Sequence, residues 1–119
     1  IMAAIAALSD PRGDEAKNYF VQQFEGSRET ICRRLDQLGH LFSYKKPDGA
    51  YYVFPRILGF EGFNALDFAK HLVDLTKIIT IPGSSMGPSG ERHLRLSFAT
   101  EASQIDKAFD RLDEFARKL

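Results

Sequence analysis

Apolar residues recur at helical spacing in the first third of the chain and alternate with polar ones further on. From Asp14 to Leu38, the residues Ala16, Phe20, Phe24, Ile31, Leu35 and Leu38 fall three, four or seven positions apart. That pattern predicts one long helix with a single apolar stripe. Its 25 residues would span about 37 Å. Lys17, Gln22, Glu25, Glu29, Arg33 and Asp36 take the opposite side. Gly26 inside the pattern permits a bend, and Gly39 supplies a stop after the last apolar residue. Ahead of this helix, Ile1 to Leu8 reads as a short packed helix, broken by Ser9-Asp10-Pro11-Arg12-Gly13. It is expected to pack either on its own domain or on structure outside these residues.

The middle of the chain changes period. His40 to Lys45 and Ala50 to Phe54 read as strands, separated by Lys46-Pro47-Asp48-Gly49. Proline presets φ at the second position of a type I turn and glycine suits the fourth, so an antiparallel hairpin is expected. Tyr51 and Tyr52 should then point to opposite faces. Pro55 to Phe63 reads as a loop. Asn64 is placed to cap a helix, with Asp67 at the reciprocal capping-box position. Ala65, Phe68, Ala69, Leu72 and Leu75 give that helix its buried stripe. A β-branched run, Ile78 to Ile81, reads as a strand, and Gly83 to Gly90 as a loop. His93-Leu94-Arg95-Leu96-Ser97-Phe98 alternates over six residues, which predicts a half-buried strand with Leu94, Leu96 and Phe98 on one face. A last helix begins near Glu101 with Thr100 as its cap, burying Ile105, Ala108, Phe109, Leu112 and Leu119. The order predicts an α+β fold of two layers: a small, mostly antiparallel sheet of three or four strands covered by helices, one of them long.

Length and composition narrow the class. The chain has 119 residues, 44% hydrophobic and 27% charged, with zero formal net charge. One ordinary globular domain fits that length. A neutral chain lacks the basic face that nucleic acid or an anionic membrane would need, so neither is an expected partner. Cys32 is the only cysteine, so no internal disulfide forms and the cytoplasm is the expected compartment. His40, His71 and His93 stand 31 and 22 residues apart, without the spacing of a metal site.

The candidate chemistry gathers between Thr80 and Thr100. The loop Gly83-Ser84-Ser85-Met86-Gly87-Pro88-Ser89-Gly90 has neither the Walker lysine nor the dinucleotide spacing, and it leads into a strand. No helix N-terminus follows to hold a phosphate. Its glycines read first as turn residues. Arg95 is different. A charge half-buried on a strand needs a partner. An Asp or Glu elsewhere in the fold is the first reading. A ligand carboxylate gripped by the planar guanidinium fork is the other.

Four stretches carry a resemblance that bears on this choice. They are the Ala-rich opening Ala3 to Leu8, the long helix with Arg28-Glu29 and Arg33-Arg34, and Pro47-Asp48-Gly49-Ala50-Tyr51-Tyr52-Val53-Phe54-Pro55. The most specific is Pro82-Gly83-Ser84-Ser85-Met86-Gly87, then Gly90-Glu91, then Arg95-Leu96-Ser97-Phe98-Ala99. In that order they resemble the C-terminal small domain of class I/II, fold-type I aminotransferases that depend on pyridoxal 5'-phosphate. The resemblance implies that residues 1–13 are a lead-in helix and linker from a large domain, and that 14–119 are the small domain. It implies that Arg95 binds the substrate α-carboxylate, with Gly83 and Met86 lining the cleft. Met86 stands where the family usually has an aromatic residue, which implies a looser wall. The substrates implied are an amino acid and a 2-oxo acid, and the intact assembly implied is a homodimer. The lysine, aspartate and phosphate ligands of the cofactor belong to the family's large domain, and no lysine here has the family's Ser-rich context. Taken alone, the chain is therefore expected to be inactive and not to bind the cofactor. The competing readings are a non-catalytic module for a small carboxylate or amino acid, and another fold-type I enzyme such as a lyase, decarboxylase or acyl transferase.

Overall fold

The computed structural model describes all 119 residues. Four helices carry most of the chain: α1 (Met2–Ser9), α2 (Arg12–Gln37), α3 (Ala65–Thr76) and α4 (Ala102–Arg117). Five short strands complete it: β1 (Phe42–Ser43), β2 (Tyr52–Val53), β3 (Arg56–Ile57), β4 (Ile81–Pro82) and β5 (Leu94–Ser97). All strand pairs are antiparallel, in a three-stranded sheet ordered β2-β5-β4 and a two-stranded sheet β1-β3. The α+β class with one long helix is therefore as the residue pattern predicts.

The expected hairpin does not form. β1 pairs with β3, placing Phe42 opposite Ile57, while β2 pairs with β5, placing Val53 opposite Leu96. The segment from Tyr52 to Ile57 follows burial rather than the turn. Val53, Pro55 and Ile57 point into the core, and Phe54 and Arg56 point out. An extended run with one buried face takes the partners that cover that face. Pro55 interrupts the ladder because it has no N–H. Its carbonyl still accepts from the Leu94 amide at 3.0 Å, and a lone bridge joins Arg56 to His93. The residues expected as a loop after Pro55 thus include β3.

Helices α2, α3 and α4 cover the strands. Ile31, Leu35, Phe68, Leu72, Phe109 and Leu112 meet Val53, Leu94 and Phe98 in one apolar cluster. α2 runs unbroken through Gly26 and ends at Gln37 with Leu38 as its C-cap, so Gly39 stands just past the helix as expected, without the positive φ of a left-handed cap. Only its second half is core. Ile31 and Leu35 are buried, whereas Phe20 is 54% exposed and Ala16 is also exposed, against the expected stripe. α1 has no buried residue.

The helix ends follow local chemistry. Asn64 caps α3, its Oδ1 accepting from the Asp67 amide at 2.8 Å. α3 stops at Lys77, which takes the left-handed conformation at φ 62°. The following run Ile78–Thr80 is not a strand; pairing begins only at Ile81. Glu101 rather than Thr100 caps α4, without a side-chain bond. The Thr100 carbonyl instead accepts from Ser27 Oγ at 2.6 Å. No helix is long and apolar enough to cross a membrane.

Candidate functional site

β5 divides two environments. Leu94 and Phe98 are fully buried against the helices. His93, Arg95 and Ser97 lie on the opposite face, as the alternation predicts. Arg95 is half-buried there, paired in register with Ile81 of β4. Tyr52, opposite Ser97 in the register, brings its ring under the arginine. The guanidinium carbon stands 4.4 Å from the ring centroid. A cation over an aromatic face is held by the ring quadrupole, and the stacked guanidinium keeps its in-plane N–H donors free.

Partners distinguish Arg95 from the other shielded arginines. Four arginines are not fully exposed: Arg28, Arg34, Arg92 and Arg95. Arg28 donates to the Pro47 carbonyl at 3.3 Å and lies 3.8 Å from Glu29. Arg34 binds Asp106, Asp110 and Asp113 at 3.1, 2.9 and 2.9 Å. Arg92 donates to the carbonyls of Ile57 and Gly59. Arg95 makes none of the chain's eight ion pairs. The internal ion pair that the sequence favours for it is absent.

Around Arg95 the aromatic contacts continue. Tyr51 and Tyr52 touch, with centroids 4.5 Å apart. Strict alternation fails for them because Tyr51 lies at a bend before β2. Phe24 of α2 adjoins Tyr51 at 6.0 Å. On the same face of β5, His93 stacks on Phe54 at 4.7 Å and 12°. Its Nδ1 is buried without a partner. Burial, and then the charge of Arg56, hold this imidazole below its ordinary pKa of 6.5.

The glycine-rich loop folds as two short 3₁₀ turns, Gly83–Met86 and Pro88–Gly90. The Gly83 amide donates to the His93 carbonyl at 2.7 Å. A Cβ at Gly83 would come 2.3 Å from the Gly90 carbonyl oxygen and 2.8 Å from the Phe54 ring. Glycine is therefore required for the loop to lie this close to β5. Gly83 is brought against the face that carries Arg95, but as buried backbone. Met86 ends the first turn and is 48% exposed. The contact that sequence reasoning missed is Tyr52 under Arg95. The alternation of Tyr52, Phe54 and Arg56 against Val53, Pro55 and Ile57 gives the face of Tyr52 but not its partner strand, which only the β2–β5 register supplies.

No family model matches the chain. Individual relatives do. The aromatic-amino-acid aminotransferase 2 of Thermococcus litoralis is 32% identical over 116 residues, covering 98% of this chain and 29% of the relative. The aspartate aminotransferase of Pyrococcus abyssi gives the same identity and coverage. Among solved structures, the alanine aminotransferase from Pyrococcus furiosus superposes with a TM-score of 0.89 at 30% identity, over 98% of this chain and 29% of that one. The chain thus spans less than a third of the length of the proteins it resembles. By sequence and by fold the chain matches a C-terminal fragment of the fold-type I aminotransferases.

Proposed function

We propose that the intact protein is a pyridoxal-phosphate-dependent aminotransferase that moves an amino group between an amino acid and a 2-oxo acid, and that Arg95 binds the substrate α-carboxylate. One observation supports the role of Arg95 above others: it is a half-buried arginine, laid over Tyr52 at 4.4 Å, whose fork is unused within the chain. A carboxylate matches that fork with two parallel, charge-assisted hydrogen bonds. Held so, the substrate is oriented before any bond is made or broken. Gly83 and Met86 are proposed to border the same cleft.

The cofactor, when bound, supplies the electron sink for chemistry at Cα. This chain's residues do not fit the task of holding it. All seven lysines are exposed, whereas a lysine that forms a covalent link to a carbonyl is activated by desolvation or a neighbouring cation. We assign the cofactor to a large domain outside these 119 residues, and to this chain only the binding of substrate. By itself the chain is expected to be inactive. The intact protein is proposed to be a homodimer.

The test is substitution of Arg95 in the intact enzyme. Arg95→Ala removes a charge-assisted pair worth about 3–4 kcal/mol, so kcat/KM should fall about 10²–10³-fold. Arg95→Lys keeps the charge but loses the fork and should recover only part of that. The cofactor's absorption spectrum should stay unchanged in both. Unaltered turnover by Arg95→Ala would remove Arg95 from the site.

A further inference from the structure

Arg95 is held in place by something other than oxygen. The other shielded arginines, Arg28, Arg34 and Arg92, are fixed by carbonyls or carboxylates. Arg95 has no carboxylate partner, and β4 offers it only Ile81 in register, a residue without a side-chain acceptor. Phe54, the other ring on this face of the sheet, is taken up by His93, on which it stacks at 4.7 Å. That leaves Tyr52. It stands opposite Ser97, two residues from Arg95 on the same face. From that diagonal position an aromatic side chain reaches across a strand pair. Its ring centroid is 4.4 Å from the guanidinium carbon.

Tyr52 is braced in turn. It is half-buried, and its ring meets that of Tyr51 at 4.5 Å. Tyr51 meets Phe24 of α2 at 6.0 Å, and Phe24 packs against the hydrophobic core. A run of rings therefore ties the arginine to α2. Fixing a long side chain costs binding energy when the ligand itself must do it. A ring that fixes the guanidinium before the ligand arrives removes that cost.

We infer that Tyr52 is the positioning residue of this site, its ring holding the Arg95 guanidinium in place before the substrate carboxylate arrives. The inference rests on the proposed carboxylate role of Arg95. The face of the ring is negative through its quadrupole and attracts the cation. The face of the guanidinium is engaged and its in-plane N–H donors are left for the ligand. The Tyr52 hydroxyl has no part in this contact, so phenylalanine would serve as well. Tyr52 acts only through Arg95. Its loss should therefore weaken substrate binding and spare the chemical step.

The test is single-turnover kinetics of the intact enzyme, with L-alanine, L-aspartate and L-phenylalanine as probes and the cofactor's absorbance as the signal. Such kinetics separate substrate binding from chemistry. With the probe that gives the largest signal, Tyr52→Leu should raise the dissociation constant about threefold to tenfold, the factor that a half-desolvated cation–π contact supplies. The limiting rate should stay within about twofold. Tyr52→Phe should restore the affinity. Pentafluorophenylalanine at position 52 keeps the shape of the ring and reverses its quadrupole, so it should bind substrate as weakly as Tyr52→Leu. Where the leucine variant does not fold, this comparison decides. In an Arg95→Ala background, Tyr52→Leu should add nothing. The inference is overturned if Tyr52→Leu leaves affinity unchanged, if the pentafluorinated ring serves as well as tyrosine, or if the leucine effect persists without Arg95. An Arg95→Ala enzyme with unaltered affinity would be a different failure: it would withdraw the carboxylate reading, and this inference with it.

Discussion

Arg95 and Tyr52 show how a single contact changes the meaning of a charged residue. An arginine on a strand, read alone, calls for an internal carboxylate. Here the ring of Tyr52 takes the place such a partner would fill, at a distance of 4.4 Å. It attracts the cation without consuming a hydrogen-bond donor. His93, two residues away, meets the opposite situation. Its imidazole is stacked on Phe54 with Nδ1 buried and unpaired. Burial favours the neutral ring and lowers the folded-state pKa. The unfolded chain takes up its proton at the ordinary value of 6.5, and the folded chain only at lower pH. Between the two, the unfolded state binds more protons, so this residue's stabilisation is complete above 6.5 and is lost as pH falls through the lowered value. His93→Phe preserves the stacking and removes the titration. Urea midpoints measured from about pH 7 to pH 5 should therefore decline less steeply in His93→Phe than in the unmodified protein. Parallel curves would mean that another group carries the acid sensitivity.

Between elements, the contact with the most at stake joins α2 to α4. Arg34 has a side chain only 10% exposed and binds Asp106, Asp110 and Asp113, which recur four and three residues apart on α4. Its guanidinium also lies 5.7 Å from the Phe109 ring centroid. Removing the cation leaves three carboxylates facing one another. Two of them, Asp106 and Asp110, are 41% and 70% exposed, so water absorbs part of the penalty. Arg34→Met is accordingly expected to cost about 1–3 kcal/mol, less than the 3–5 typical of breaking a fully buried pair. Asp110→Asn should cost under about 1 kcal/mol, as exposed pairs do. Chemical denaturation of both variants checks the ranking; an equal loss in the two would contradict it. This clamp was not legible in the sequence, where Arg33 read as the polar side of a helix and Arg34 entered only through the family resemblance. Pairings between distant segments lie outside what periodicity encodes. The same limit explains the hairpin. Lys46-Pro47-Asp48-Gly49 is good turn chemistry, yet β1 and β2 each take another partner, because register follows the buried face of Val53, Pro55 and Ile57. What periodicity does encode came through in α3 with its Asn64 cap, the amphipathic α4 and the two faces of β5, except that Leu75 and Leu119, expected on the buried stripes, are exposed near the ends of their helices. At the site, the strand position of Arg95 was readable. Tyr52 beneath it was not, since that contact depends on the β2–β5 pairing.

At the scale of the molecule, the chain is longer than its core requires. A compact domain of 119 residues has a radius of gyration near 13.5 Å, whereas this one measures 16.5 Å with a long axis of 52 Å. The excess lies at the N-terminal end. α1 buries nothing, with Met2 and Leu8 82% and 89% exposed, and α2 first contributes to the core near Phe24. Residues 1–13 are proposed to be a lead-in segment, distinct from the domain at 14–119. If so, they add almost no apolar burial to the folding of the rest, and burial is what drives folding. Deleting them should therefore change stability by less than about 0.5 kcal/mol, which for a domain of this size moves the thermal midpoint by roughly 2–4 °C. The comparison is direct, since calorimetry of residues 1–119 and 14–119 should give nearly coincident transitions. A fall of more than about 8 °C would instead make α1 part of the cooperative unit, stabilised through its packing on α2, and the boundary at residue 13 would have to be withdrawn.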